Sequence, residues 1–168
     1  MLLALLGAAL AETPTDCGEV EPLVPDIALF DLNPGSTTYN TELGPQDFRG
    51  KSIVIYWAHA SCGVCQSHGA ALQVIWDEHP EWHEDTQILI VNGIGYEADL
   101  PNFTSSMSLP VLQDDVEDLA YDTYGASKWY VYFVDDEGTL KWLHYYLDVS
   151  GSEEDRFIEE VDRLRGEP

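Results

Sequence analysis

The chain has 168 residues, 45% of them hydrophobic, which is enough for one domain with a substantial core. Thirty-one acidic side chains stand against seven basic ones, a formal net charge of −24. Such a surface repels nucleic acid and anionic lipid and excludes both as partners. It reads as a solvated acidic coat suited to salty surroundings, with an acidic docking face as the alternative.

Residues 1–11 read as an export leader. They are apolar, too short to span a bilayer, and end in Ala9-Leu10-Ala11, a small-x-small cleavage pattern, although a basic n-region is missing. An exported chain would work in a periplasmic or extracellular setting, where a dithiol can cycle or a disulfide persist. No membrane span follows. Residues 12–25 carry prolines, acids and the odd thiol Cys17, and read as a flexible lead-in to a domain over residues 26–168. Cys17 does not fit a lipid-attachment box.

Residues 27–32 predict a short strand, stopped by the turn signal Asn33-Pro34-Gly35-Ser36. Residues 37–50 are polar, with Phe48 as an anchor. Residues 52–58 are apolar and β-branched, a buried strand. The motif Ser61-Cys62-Gly63-Val64-Cys65-Gln66 follows, and Cys65, Leu72, Ile75, Trp76 and His79 then recur at helical steps until Pro80. From residue 52 to residue 76 there is no Asp, Glu, Lys or Arg, so core and site coincide there.

Further on, residues 87–92 predict a strand, residues 100–104 a short helix and residues 110–112 a brief strand. Asp114, with Glu117 three residues later, predicts a capped helix turning Val116, Leu119 and Ala120 inward and ending at Gly125. Residues 129–135 and 140–147 predict a hairpin across Asp136-Glu137-Gly138. Ser152 caps a last helix with Phe157, Val161 and Leu164 on one face. The pattern is one α/β domain ending in an antiparallel hairpin and a helix.

Cys-x-x-Cys at a strand-to-helix junction is the setting of a redox couple. Cys62, at the helix N-terminus, is the expected attacking sulfur, because free amides and partial positive charge favour its thiolate. Cys65, one turn inside, would resolve a mixed disulfide. A static disulfide is the bland alternative. His59 and His68 bracket the pair, so His59, Cys62, Cys65 and His68 form a second possible set, a tetrahedral zinc or cuprous site in a metal-binding or metal-delivery protein. Otherwise His68 is a hydrogen-bonded core histidine on the stripe of Cys65 and Leu72, and His59 a proton acceptor or filler.

Residues 32–51, the strand with Cys62-Gly63-Val64-Cys65, Leu109-Pro110-Val111-Leu112-Gln113-Asp114, and Tyr124-Gly125 followed by a strand and Asp135-Asp136-Glu137-Gly138 resemble the thioredoxin-like redoxin superfamily over nearly all the chain beyond the leader. Within it, Ala60 to Gln66, Ile90-Val91-Asn92 and residues 128–140 are most similar to the N-terminal thioredoxin-like domain of selenoprotein P, with Cys62 where selenocysteine often stands. The resemblance implies a thioredoxin-like fold, a central mixed β-sheet flanked by helices, with Cys-x-x-Cys at the N-terminus of the first main helix. It also implies a thiol-disulfide oxidoreductase or thiol-dependent peroxidase. The substrate would be a disulfide, thiol or peroxide, the reducing partner a protein or small thiol, and no cofactor is needed. Two departures stand out. Gly63-Val64 replaces the Gly-Pro of strongly reducing relatives. The cis-proline that usually faces the cysteines is replaced by Trp129 or Tyr130, so Trp129, with His59, is expected to shape the site.

Overall fold

The run over residues 52–58 forms β3 (Ser52–Ala58), and all seven of its residues are buried. A strand buried on both faces needs no polar alternation, which is why it reads as continuous apolar sequence. It pairs in parallel with β4 (Thr86–Asn92) and antiparallel with β6 (Val131–Val134). Beyond these lie β5 (Val111–Gln113), parallel to β4, and β7 (Leu140–His144), antiparallel to β6, giving the order β5-β4-β3-β6-β7. The structure is a computed structural model describing residues 22–166. The leader and Cys17 lie outside the described residues.

Alternation along β3 divides the core. Val54, Tyr56 and Ala58 face α1 (Gly63–Glu78) and α4 (Glu154–Leu164), whose Cys65, Leu72, Ile75, Phe157 and Val161 pack there. Ile53, Ile55 and Trp57 face the opposite layer, with Ala120 of α3 (Ala120–Tyr124) and Val24, Ile27 and Leu29 of the leading segment. A side chain at an even-numbered position of β3 therefore points toward the motif helix. The short α2 (Leu100–Phe103) closes the core beside α1 through Phe103.

The leading segment is tied down from Pro22 onward. The Leu140 amide donates to the Pro22 carbonyl and the Val24 amide to the Gly138 carbonyl. The segment then crosses the sheet, and Asp31 bridges Leu112 on β5 while the Leu32 amide donates to Val111. Residues 22–25, expected to belong to a flexible lead-in, are instead held in place, because each finds a backbone partner or an apolar seat. Leu29 and Phe30 alone of residues 27–32 form strand β1, which pairs with the unexpected β2 (Glu42–Leu43).

The helix expected directly after Asp114 does not form there. Val116 and Leu119 are exposed, Leu119 takes φ +46°, and α3 starts only at Ala120. Asp114 still caps that helix from a distance, accepting the Ala120 amide at 2.7 Å and the Tyr121 amide at 3.1 Å. Gly125, at φ +59°, ends it in the left-handed conformation that glycine adopts without penalty. The last helix begins after Glu153 rather than on a Ser152 cap.

Candidate active site

β3 ends at Ala58 and the chain turns through His59-Ala60-Ser61 into α1. Two neighbours pin that turn. Asn92, at the end of β4, accepts the Ala60 amide at 2.8 Å and donates to Gln113 at 2.7 Å, and Gln66 of α1 donates to the Ala60 carbonyl at 2.8 Å. The turn sets Cys62 as the residue before the helix, with extended backbone at φ −84° and ψ 119°. Helix N-terminal amides have no intrahelical acceptor, so they point at whatever sits in front of them. Here that is the Cys62 sulfur.

The two cysteines are free thiols in different surroundings: Cys62 is half-buried, while Cys65 is fully buried. Burial pushes the Cys62 thiol up, but the Cys65 amide and side chain, the Trp129 indole and the Val64 amide all favour its anion and outweigh burial, and its pKa lies below the ordinary thiol value. Burial dominates at Cys65 and pushes it up to about 11, against a compensating hydrogen bond from the His59 amide. The sulfur that solvent can reach is the one that ionises readily.

Trp129 lies two residues before β6, at φ +80°, with its amide donating to the Trp57 carbonyl at 2.7 Å. The described residues contain no cis peptide bond. A bulky residue at positive φ is strained, and the packing that holds it there is aromatic. Tyr146 meets the Trp129 ring edge-on at 5.9 Å and the Lys128 ammonium lies 4.5 Å over its face. The indole Nε1 is buried without a well-aligned acceptor, yet it faces the Cys62 sulfur and favours its anion. A full hydrogen bond there awaits the thiolate, a better acceptor than the thiol.

His59 reaches the pair by its backbone and not by its imidazole. Its amide lies 3.5 Å from the Cys65 sulfur, while its ring stacks on Tyr96 at 4.1 Å and lies over Gly93. A Cβ at Gly93 would stand 2.9 Å from that ring, so glycine is what admits it. His68 is fully buried and bonded through Nδ1 to the Tyr56 hydroxyl at 3.0 Å. The four-ligand set His59, Cys62, Cys65 and His68 does not converge: among the described residues no group of three or more His, Cys, Asp or Glu is placed to hold a metal. One ring is stacked outward and the other is engaged inward, which spacing alone does not reveal.

Sequence reasoning missed Asn92, Tyr56, Tyr96 and Asp148. Asn92 carried a signal, a buried amide closing an apolar strand, which must find partners. Tyr56 carried a weaker one, a hydroxyl inside a fully apolar run. Nothing local marked Tyr96 or Asp148.

No family model matches the sequence, and no curated protein matches it either. Solved structures do. A proposed protein disulfide isomerase from Bacteroides thetaiotaomicron superposes with a TM-score of 0.69 at 17% identity, over 88% of this chain and 90% of that one. The fold is thioredoxin-like. The DsbF of Mycobacterium tuberculosis, in mixed oxidized and reduced forms, shares this thioredoxin-like fold at TM-score 0.65 and 17% identity, over 84% and 98% of the two chains. So does the exposed lipoprotein thioredoxin of Streptococcus pneumoniae, at 0.63 and 23%, over 83% and 99%. None of the three is a selenoprotein P, and at these identities the likeness concerns the fold.

Proposed function

We propose that this protein is a thiol-disulfide oxidoreductase working through Cys62 and Cys65. The observation that carries the reading is the asymmetry of the pair, an accessible sulfur of lowered pKa at a helix N-terminus beside a buried one held protonated. Thiol exchange needs that division of labour. The Cys62 thiolate attacks one sulfur of a disulfide, the other sulfur leaves with the electron pair, and a mixed disulfide remains on Cys62. Cys65, once deprotonated, attacks the Cys62 sulfur, closes the Cys62–Cys65 disulfide and expels the second thiolate. An external dithiol or reducing partner protein resets the pair. The names of the structural neighbours, an isomerase, a DsbF and a thioredoxin, agree with such exchange, and the exposed lipoprotein among them agrees with an exported setting for residues 26–168.

The finer reading concerns substrate. Trp129 packs beside Cys62 where a peptide substrate would lie, so small oxidants, a low-molecular-weight disulfide or a peroxide, are favoured over protein disulfides. This is the sense in which a selenoprotein P-like role is retained. The test is steady-state turnover of a small disulfide, hydrogen peroxide and insulin by the reduced protein with an excess of dithiol. Turnover of the small oxidants that vanishes in Cys62→Ser is expected. Insulin reduction faster than either small oxidant would reverse the substrate preference, and turnover surviving Cys62→Ser would remove the function.

A further inference from the structure

Resolution of a mixed disulfide requires the Cys65 thiolate, yet Cys65 is fully buried and its thiol is pushed up to about 11. The His59 imidazole is not available to it, being stacked on Tyr96. On the other side of Cys65 a polar chain leads outward. The Tyr56 hydroxyl, on the helix-facing side of β3 in the same buried layer as Cys65, favours the Cys65 thiolate and lies 3.0 Å from His68 Nδ1. His68 Nε2 lies 3.4 Å from Asp148 Oδ1. That contact has ion-pair distance without hydrogen-bond alignment, so Nε2 is a buried donor with one carboxylate before it. The Asp148 side chain is one-third exposed, on the loop between β7 and α4, where the Ser150 hydroxyl donates to it.

Tyr56 and His68 are both fully buried, and burying polar groups is costly unless their partners are exact in position. The groups around the imidazole are Tyr56 from β3, Tyr146 and Asp148 from the loop, and Cys65 one turn earlier on its own helix. We propose that Tyr56, His68 and Asp148 form the path by which Cys65 delivers its proton toward solvent during resolution, an inference that rests on the dithiol chemistry proposed above. The Cys65 S–H proton passes to the Tyr56 oxygen as the Tyr56 O–H proton passes to His68 Nδ1. The resulting imidazolium faces the Asp148 carboxylate, which takes the Nε2 proton on to water. The freed Cys65 thiolate forms the bond to the Cys62 sulfur, and the bond from Cys62 to the substrate sulfur breaks with its electron pair on the departing thiolate. No outside oxidant is needed beyond the substrate disulfide.

Stopped-flow reaction of the reduced protein, carrying Cys17→Ser as the parent background, with Ellman's reagent separates the two steps, since attack by Cys62 releases one coloured thiolate and resolution by Cys65 releases the second. Tyr56→Phe and His68→Gln are expected to slow the second release about tenfold or more near pH 7, with the first within about twofold, a range ordinary for lost acid–base assistance. The deficit should shrink as pH rises toward about 10, because hydroxide replaces the relay. Asp148→Asn, a surface change that leaves the core intact, should slow the second release less and in the same pH-dependent way. Second-release rates equal to the parent in Tyr56→Phe and Asp148→Asn would overturn the relay, as would equal slowing of both releases at every pH. If the parent instead shows a second release that persists at full rate in Cys62→Ser, the cysteines act independently, and both the relay and the dithiol function fall.

Discussion

Cys62 and Cys65 are one helical turn apart, and their difference comes from which way each faces. The Cys62 sulfur sits half-buried at the helix N-terminus, where amide dipoles favour charge, and the Cys65 sulfur is fully buried in a layer of apolar side chains. Alkylation of the reduced protein should therefore label Cys62 first at every pH up to the ordinary thiol range. The Cys62 rate should level off at lower pH than that of an ordinary thiol, whereas the Cys65 rate should still be rising there, as expected for a thiol pushed up to about 11. Trp129→Phe keeps a ring and removes the indole donor. Losing a donor that favours the anion raises the Cys62 pKa, so its alkylation midpoint should move up. An unmoved midpoint would mean that the indole only packs. The Cys pair was legible because its chemistry is local, three residues and a strand-to-helix junction. Tyr56, His68 and Asp148 were not legible as a set, because a strand, a helix and a distant loop supply one group each.

At the scale of elements, two buried aspartates hold parts of the chain that hydrophobic pattern leaves unspecified. Asp31 accepts the Val111 amide at 3.0 Å, the Asn33 amide at 2.9 Å and the Thr38 hydroxyl at 2.8 Å, fastening the first strand segment to β5. Asp115, by contrast, accepts the Glu117 and Asp118 amides at the surface. Asp31→Ala should lower stability by about 3 kcal/mol, because several donors lose their shared acceptor at once. Asp115→Ala should cost less than about 1 kcal/mol, as for a weak exposed cap. Urea unfolding at neutral pH compares the two, and similar midpoints would deny Asp31 its fastening role. Asp114 shows why the sequence misplaced a helix. Asp-x-x-Glu is a good local start signal, but Tyr121 must reach the Ala58 carbonyl at 2.6 Å and pack edge-on against Trp57 at 4.9 Å. Those tertiary contacts fix where α3 starts, and the intervening residues make a turn. β3, α1 and β4 were readable from pattern alone, since their apolar runs are long and their stops are marked.

For the whole molecule, charge and edges set the behaviour. A net charge of −24 on one small domain is self-repulsive. Thermal stability should rise as sodium chloride increases from about 0.05 M to about 1 M, because the Debye length shrinks from beyond 10 Å to about 3 Å. A melting temperature that is flat or falling over that range would show that the acids are already neutralised by local partners. The segment from Pro22 to Leu32 adds a different consequence. It closes the free margin of β5 at one end of the sheet and the entry to β7 at the other, so the chain caps its own unsatisfied ladder groups. A form trimmed to begin at Asn33 would expose two templates for strand addition, in a protein whose charge otherwise keeps copies apart. Such a form should scatter light and bind thioflavin in high salt, where repulsion is screened, and remain clear in low salt. The strap and the acidic coat would then be two separate guards against the same hazard, self-association, either of which suffices alone.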